Sequence, residues 1–245
     1  MYREFPPPPP LREVVRCLWS ARIRGSFPIV PDGCADLIVA GDEVFVAGPD
    51  TSAWRSTLET GTELLGVRFR PGRAPSVLGT PASDLRDRRI PLDELWGRRG
   101  RDVADRLLDT PRALPAVALN ALHRAGGDAG RRRDPWLEVL LARLNAGVSR
   151  VGDAVHDLDL GPRQLRRKFT EAVGYGPATY LRVARLQRAL AVAPRVAGLS
   201  TLATEAGYAD QAHLSRDCRD LTGQTASEYF VLDDRSVHDR SASRS

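Results

Sequence analysis

Between Gly161 and Thr170 the chain carries Arg163, Arg166, Arg167 and Lys168 and no acid. In the same run Leu165 and Phe169, followed by Val173, recur at a spacing of four and so share the inward face of a helix. Arg163, Arg166 and Arg167 then face outward near the helix N-terminus, flanked by Gln164 and Lys168. Such a face suits direct readout of DNA. An arginine fork bonds O6 and N7 of guanine in a bidentate pair that is worth about 1–3 kcal/mol of discrimination, and the flanking side chains reach bases or phosphates. An ordinary solvated face would mix acids among its bases at a spacing of four, whereas here Glu171 stands alone at the far end.

The pattern has a second copy. An offset of 49 residues brings Ala154 onto Ala203, Leu165 onto Leu214, Arg167 onto Arg216, Gly174 onto Gly223 and Tyr180 onto Tyr229. Each copy reads as a short helix, a tight turn and a second helix. The turns are Leu158-Asp159-Leu160-Gly161 and Gly207-Tyr208-Ala209-Asp210, and two helices meeting at such a turn form a helix-turn-helix. In the second copy Asp210 is expected to cap the helix and Leu214 and Cys218 to point inward. Gln211, Ala212, Ser215 and Arg216 take the places of Pro162, Arg163, Arg166 and Arg167. Its candidate DNA contacts are Gln211, His213 and Arg216. A predicted helix from Pro177 to about Val192 joins the copies, and one rigid connector could present both recognition helices to successive major-groove segments about 34 Å apart.

Charge divides unequally between the two. From Gly161 to Arg195 eight bases meet one acid, a local balance of +7, while from Leu199 to Gly223 the balance is −2. The first copy therefore supplies the electrostatic attraction, which the whole-chain charge of +5 does not reveal.

The runs Leu160-Gly161-Pro162-Arg163-Gln164-Leu165-Arg166-Arg167-Lys168-Phe169, Gly174-Tyr175-Gly176-Pro177 with Tyr180-Leu181, and Gly207-Tyr208-Ala209-Asp210-Gln211-Ala212-His213-Leu214-Ser215-Arg216 resemble the AraC/XylS-type DNA-binding domain of bacterial transcription regulators. The resemblance covers about residues 134 to 232. It implies base contacts from Arg163, Arg166 and Arg167 and from Gln211, His213 and Arg216. It also implies double-stranded DNA as partner, and RNA polymerase is a further partner to expect. Four positions depart from the family pattern. Gly161 stands where serine is usual, Leu214 and Cys218 replace aromatic residues, and Ala226 replaces the proline before the last helix.

Upstream the pattern changes to short β-type runs, Ile29-Val30, Leu37-Ile38-Val39, Val44-Phe45-Val46 and the alternating Leu65, Val67 and Phe69. Turn residues separate them at Pro31-Asp32-Gly33, Gly41-Asp42, Gly48-Pro49 and Pro71-Gly72. A small antiparallel barrel or sandwich is expected, followed by helices near 74–78, 101–108 and 113–124. A helix over Leu11, Val14, Val15 and Leu18 is expected to run into a strand near Trp19, after extended polyproline at Pro6 to Pro10. This half is similar to an uncharacterised domain that precedes the DNA-binding domain in some family members, through Pro31-Asp32-Gly33-Cys34 with Asp36-Leu37 and Val67-Arg68-Phe69 with Pro71-Gly72. The similarity implies a regulatory or effector-sensing role.

The expected organisation is α+β: a β-rich regulatory domain at 1–125, a linker at 126–133, an all-helical domain with two helix-turn-helix units at 134–232, and a disordered tail at 233–245. Asp134-Pro135 offers an N-cap and a first-turn proline for the first helix of the helical domain. No apolar run approaches 18 residues, so no membrane span is expected, and the N-terminus lacks the features of a secretory signal. A cytoplasmic location follows. Cys17, Cys34 and Cys218 are too few and too scattered for a disulfide framework or a zinc cluster. Neither a metal nor a cofactor is expected.

Three further readings attach to the N-terminal half. Trp19, Trp54 and Arg68 are candidate lining for a small-molecule effector pocket, since aromatic walls with few polar groups make ligand sites. Cys34, in a turn, is a candidate thiol switch if it is exposed. Asp32, Asp36 and Arg68 lie beside turns, but no Cys/His or Ser/His/Asp spacing accompanies them, and no catalytic residue is assigned. A helical protein-interaction module that meets an acidic partner is the alternative for the basic face. One chain holds two recognition helices, so either a monomer or a homodimer could bind DNA.

Overall fold

The computed structural model describes residues 2–25, 28–125 and 134–230. The expected linker at 126–133 and tail at 233–245 lie outside the described residues. The N-terminal half is built on a six-stranded antiparallel sheet of order β1-β2-β7-β4-β5-β8. Its strands are β1 (Arg3–Phe5), β2 (Val15–Arg22), β4 (Asp36–Ala40), β5 (Glu43–Ala47), β7 (Glu63–Phe69) and β8 (Arg89–Pro91). A separate two-stranded ribbon pairs β3 (Pro28–Ile29) with β6 (Trp54–Arg55). The α+β class holds, and among the described residues the sheet stays open between β1 and β8.

Alternation along β7 explains the two faces of the sheet. Leu65, Val67 and Phe69 turn to one side, where helices α1 (Pro75–Leu78), α2 (Ala82–Leu85), α3 (Leu92–Asp109) and α4 (Leu114–Arg124) lie, and Val77, Leu85, Leu107 and Leu122 complete that core. Leu64 turns to the other side and joins a smaller cluster with Cys17, Trp19, Ile38 and Phe45. The helix expected over residues 11–18 is not formed. A 3-10 turn at Pro9–Leu11 leads directly into β2, because Leu18 and Trp19 pair with Val67 and Gly66 and the period of two wins over the period of four.

The C-terminal half consists of α5 (Pro135–Ala146), α6 (Val151–Val155), α7 (Pro162–Val173), α8 (Pro177–Val192), α9 (Leu199–Ala206), α10 (Gln211–Thr222) and α11 (Ala226–Tyr229). Pro135 opens α5 as expected, but Asp134 makes no side-chain cap bond. One continuous core runs through this half, from Leu140 and Leu144 through Leu165, Phe169 and Leu186 to Leu202, Leu214 and Leu221. Helix α8 is central to it and buries Tyr180, Leu181, Val183, Leu186 and Ala189. No helix of the described residues is long and apolar enough to cross a membrane.

The halves touch through loops of the sheet-bearing half. Gln187 on α8 donates from Nε2 to the Pro31 carbonyl at 2.7 Å. The Tyr180 ring lies where a Cβ on Gly33 would come within 2.9 Å, so the Pro-Asp-Gly turn has glycine at its point of closest approach. Gly174, left-handed at φ 100°, ends α7 and lies against Pro49 in the same way. Arg73 pairs with Glu138 of α5 at 2.6 Å.

Candidate nucleic-acid interface

Helix α7 follows the short α6 across the turn at Asp157–Gly161, and α10 follows α9 across Gly207–Asp210. In each pair the inward residues dictated by the spacing of four are buried, Leu165, Phe169 and Val173 in α7 and Leu214 and Cys218 in α10, where Leu221 joins them. Apart from Asp217 and Thr222 of α10, which are buried, the other faces are largely left to solvent. Arg163, Gln164, Arg166 and Arg167 are exposed and Lys168 is half-buried. Pro162, Arg163, Arg166, Arg167, Thr170 and Glu171 line one shallow open surface. The equivalent surface on α10 is lined by Gln211, Ala212, Ser215, Arg216 and Arg219. The 49-residue offset maps five of the first six residues onto the second set, so the repeat read in the sequence is a repeat of exposed surface.

Local bonds decide how each side chain is presented. Arg167 donates to Glu171 at 3.1 Å, one helical turn on. A surface pair of this kind contributes only about 0.2–1 kcal/mol, so Arg167 is held in position and can still be released to another acceptor. In α10, Asp210 caps the helix as expected, accepting from the His213 N–H at 2.6 Å. His213 departs from its expected role. Its ring packs edge-on against Tyr208 at 5.1 Å, and Nε2 stands 3.7 Å from Asp217. The imidazole braces the turn of the second unit instead of joining the outward surface of Gln211 and Arg216.

Sequence reasoning missed the residues that orient this second unit. Asp217 is buried, and Arg182 on α8 donates to it at 2.7 Å and to Asp220 at 2.6 Å. Burial works against the charge on Arg182, but the bonds to Asp217 and Asp220 outweigh it and hold the guanidinium protonated. Two of the four acids that gave this copy its negative balance therefore share one guanidinium of the linker helix. Arg188, also on α8, donates to the carbonyls of Leu144, Asn145 and Ala206, the C-terminal ends of α5 and α9. It thus supplies partners for carbonyls that a helix end leaves open. The alternation of basic and apolar residues along Arg182, Arg185 and Arg188 was visible in the sequence, but their acceptors lie more than 15 residues away. Arg219 and Thr170 also escaped notice, although each follows an assigned arginine by three residues.

The proposed effector residues do not come together. Trp19 is buried and donates from Nε1 to Asp36 at 2.6 Å. Arg68 pairs with Asp36 at 3.1 Å and Asp32 at 3.3 Å. Trp54 belongs to the β3–β6 ribbon, under the Arg89 guanidinium at 3.8 Å, and lines a groove that neither of the other two lines. Trp19 and Arg68 are thus committed to a buried polar cluster, because an aspartate at position 36 inside the sheet needs partners. The thiol-switch reading also fails. Cys34 is buried, its neighbour Arg16 is 3.8 Å away, and burial pushes the thiol well above its usual range, so the reactive thiolate is disfavoured. Among the described residues no group of three His, Cys, Asp or Glu side chains could hold a metal.

Residues 155–231 match the family described as "Helix-turn-helix domain", and residues 3–91 match a "Domain of unknown function (DUF6597)". No curated protein matches the chain. Among solved structures the chain is similar to ToxT from Vibrio cholerae O395, with a TM-score of 0.46 and 11% identity over 87% of this chain and 96% of that one. It is similar also to unsaturated fatty acid-bound wild-type ToxT from Vibrio cholerae strain SCE256, with a TM-score of 0.43 and 10% identity over 89% and 94%.

Proposed function

From the match of residues 155–231 to a helix-turn-helix domain, we infer that the chain is a DNA-binding transcription regulator of the AraC type, that α7 and α10 are its recognition helices, and that they occupy successive major grooves of one DNA face. The observation that carries this is the pair of matched exposed surfaces on α7 and α10, fixed to one linker helix by Arg182 and by a shared core. Arg163, Arg166 and Arg167 are the base-reading arginines of α7, with Gln164 and Lys168 reaching bases or phosphates. Gln211 and Arg216 serve α10, and Arg219 is placed to meet phosphate. The first unit supplies most of the attraction, and the second adds shape and a few contacts. The division into a regulatory domain at 1–125 and a DNA-binding domain at 134–232 belongs to the same reading, as does the sensing of a small molecule by the N-terminal domain. No catalytic residue is assigned in it; Asp32, Asp36 and Arg68 are tied to one another and to Trp19.

The test is binding to a fragment of the DNA upstream of the protein's own gene across a salt series, with random-sequence DNA as competitor. Specific binding that weakens steeply with salt, and a loss of discrimination in Arg167→Ala, are expected. Equal affinity of the wild type for both DNAs would sink the base-reading assignment.

A further inference from the structure

The loop from Gly48 to Arg55 touches three places at once. It is tied to the sheet-bearing half where Gly48 N–H donates to the Arg88 carbonyl at 2.9 Å, the Thr51 hydroxyl to Asp87 at 2.8 Å, and Arg89 to Asp50 in a two-bond fork at 2.5 and 2.6 Å. It reaches the first recognition helix through Pro49, which lies against Gly174 at the end of α7. It reaches the second through the Ala53 N–H, which donates at 2.7 Å to the Leu221 carbonyl in the last turn of α10. The next residue is Trp54. With Phe45, Leu58, Ala104 and Leu108 it walls a groove of about 530 Å³ beside β5 and α3. Its indole Nε1 is shielded from solvent and makes no hydrogen bond.

Charge narrows what the groove accepts. Its rim carries Asp42, Glu43, Asp93 and Asp105 against Arg89 and Arg101. Arg89 gives both terminal nitrogens to Asp50 while its Nε makes no hydrogen bond, and Arg101 stands 3.9 Å from Asp93. Among the described residues Asp42, Glu43 and Asp105 make no ion pair, so an anion entering here would meet uncompensated carboxylates and a neutral ligand would leave them unused. An apolar body fits the aromatic and aliphatic walls, and a positive charge fits the rim.

We propose that this groove is the effector site, that its ligand is a lipophilic cation such as a bulky aromatic amine or onium ion, and that the Gly48–Arg55 loop transmits its binding to both recognition helices. The proposal rests on the reading of the chain as a DNA-binding regulator. A ligand acts on DNA binding only through its differential affinity for two arrangements of the protein, and this loop is the element whose position both helices feel.

Tetraphenylphosphonium and tetraphenylborate have nearly the same shape and opposite charge, and calorimetry of each against the full chain tests the site without DNA. Saturable binding of the cation at one site per chain, no binding of the borate, and a loss of about fivefold or more in Glu43→Gln/Asp105→Asn are expected. With upstream DNA, the cation should shift affinity by about fivefold or more. Ala53→Pro, which lacks the N–H that bonds Leu221, should bind the cation unchanged and lose that shift. Equal binding of both ions, no saturable binding of the cation, or indifference to the double substitution overturns the site. Cation binding that leaves DNA affinity unmoved overturns the transmission. Charge-selective binding by a protein that holds no DNA sinks the regulator reading and spares the groove, whereas DNA binding without cation binding does the reverse.

Discussion

The two helix-turn-helix units follow one backbone plan and are held together by different means. In the first, Phe169 is fully buried and meets Tyr180 edge-on at 5.8 Å, while Gly161 at the helix start offers no side-chain cap. In the second, the position equivalent to Phe169 is Cys218, and polar groups do more of the work. Asp210 caps α10, His213 leans on Tyr208, and Arg182 holds Asp217 and Asp220. The first unit keeps the basic side chains of α7 for the outside and relies mainly on an apolar interior, with one outer brace where Arg143 on α5 forks to Asp157 in its turn. The second spends several of its charged groups on its own architecture. A duplicated fold is thereby held together by two different kinds of contact.

The largest test of that contrast is in the cores. Phe169→Ala should destabilise the protein by about 3–5 kcal/mol, the usual cost of removing a buried phenylalanine. Cys218→Ala, which removes one sulfur atom, should cost about 1 kcal/mol. Urea unfolding followed by far-ultraviolet circular dichroism measures both, and equal losses would show that the two interiors are interchangeable.

Next in size is the polar brace. Arg182→Ala leaves Asp217 buried with no strong donor. Breaking a buried pair from one side costs about 3–5 kcal/mol, and the partial exposure of Arg182 lowers the expectation to about 2 kcal/mol. Because Arg182 sits on α8 and its partners on α10, the same variant should also weaken DNA binding while Arg163, Arg166 and Arg167 remain intact. Unfolding and DNA titration together check this. Unchanged stability would mean that water replaces the guanidinium at no cost and that the second unit needs no brace.

The outward faces come third, and here affinity should move while stability does not. Arg166→Ala should cost about 1–3 kcal/mol in binding to the specific DNA if it reads a base, and stay within about 0.5 kcal/mol of wild type in unfolding. Its counterpart Ser215→Ala should change binding far less. A larger loss at Ser215 than at Arg166 would invert the division of labour between the units.

Much of this arrangement could be read from the chain because it depends on short-range spacing. Residues four apart place Leu165, Phe169 and Leu214 inside and Arg163, Arg166 and Gln211 outside, and the offset of 49 identifies the repeat. What could not be read depends on partners distant in sequence. Arg182 was one basic residue among eight until α10 folded beside it, and the acids of the second unit looked repulsive because their neutralising partner lies in the linker helix. The same limit misplaced the effector residues. Trp19, Trp54 and Arg68 were grouped by chemical type, but strand pairing sends Trp19 and Arg68 to Asp36, while Trp54 belongs to a ribbon and a groove of its own. The departures at the recognition helix start and at Ala226 were legible as losses, and the structure supplies a substitute for the second. Thr225 and Glu228 form a reciprocal capping box at the start of α11, with the Thr225 N–H donating to Glu228 at 2.7 Å.

The smallest effect concerns the cap that the first unit lacks. Gly161 has extended backbone angles of φ −60° and ψ 145°, which any residue adopts, and a Cβ there would meet nothing within 4 Å. Gly161→Ser can therefore accept a hydrogen bond from the first turn of α7, as Asp210 does for α10, and it also reduces the freedom of the unfolded chain. A gain of a few tenths up to about 1 kcal/mol is expected in unfolding. Asp210→Ala should lose about 1 kcal/mol at the equivalent position. Opposite signs at these two matched sites would show that one cap position is filled in α10 and open in α7. If Gly161→Ser instead destabilised the protein, the first turn of α7 would need a backbone freedom that its present angles do not show, and the contrast between the two helix starts would rest on something other than capping.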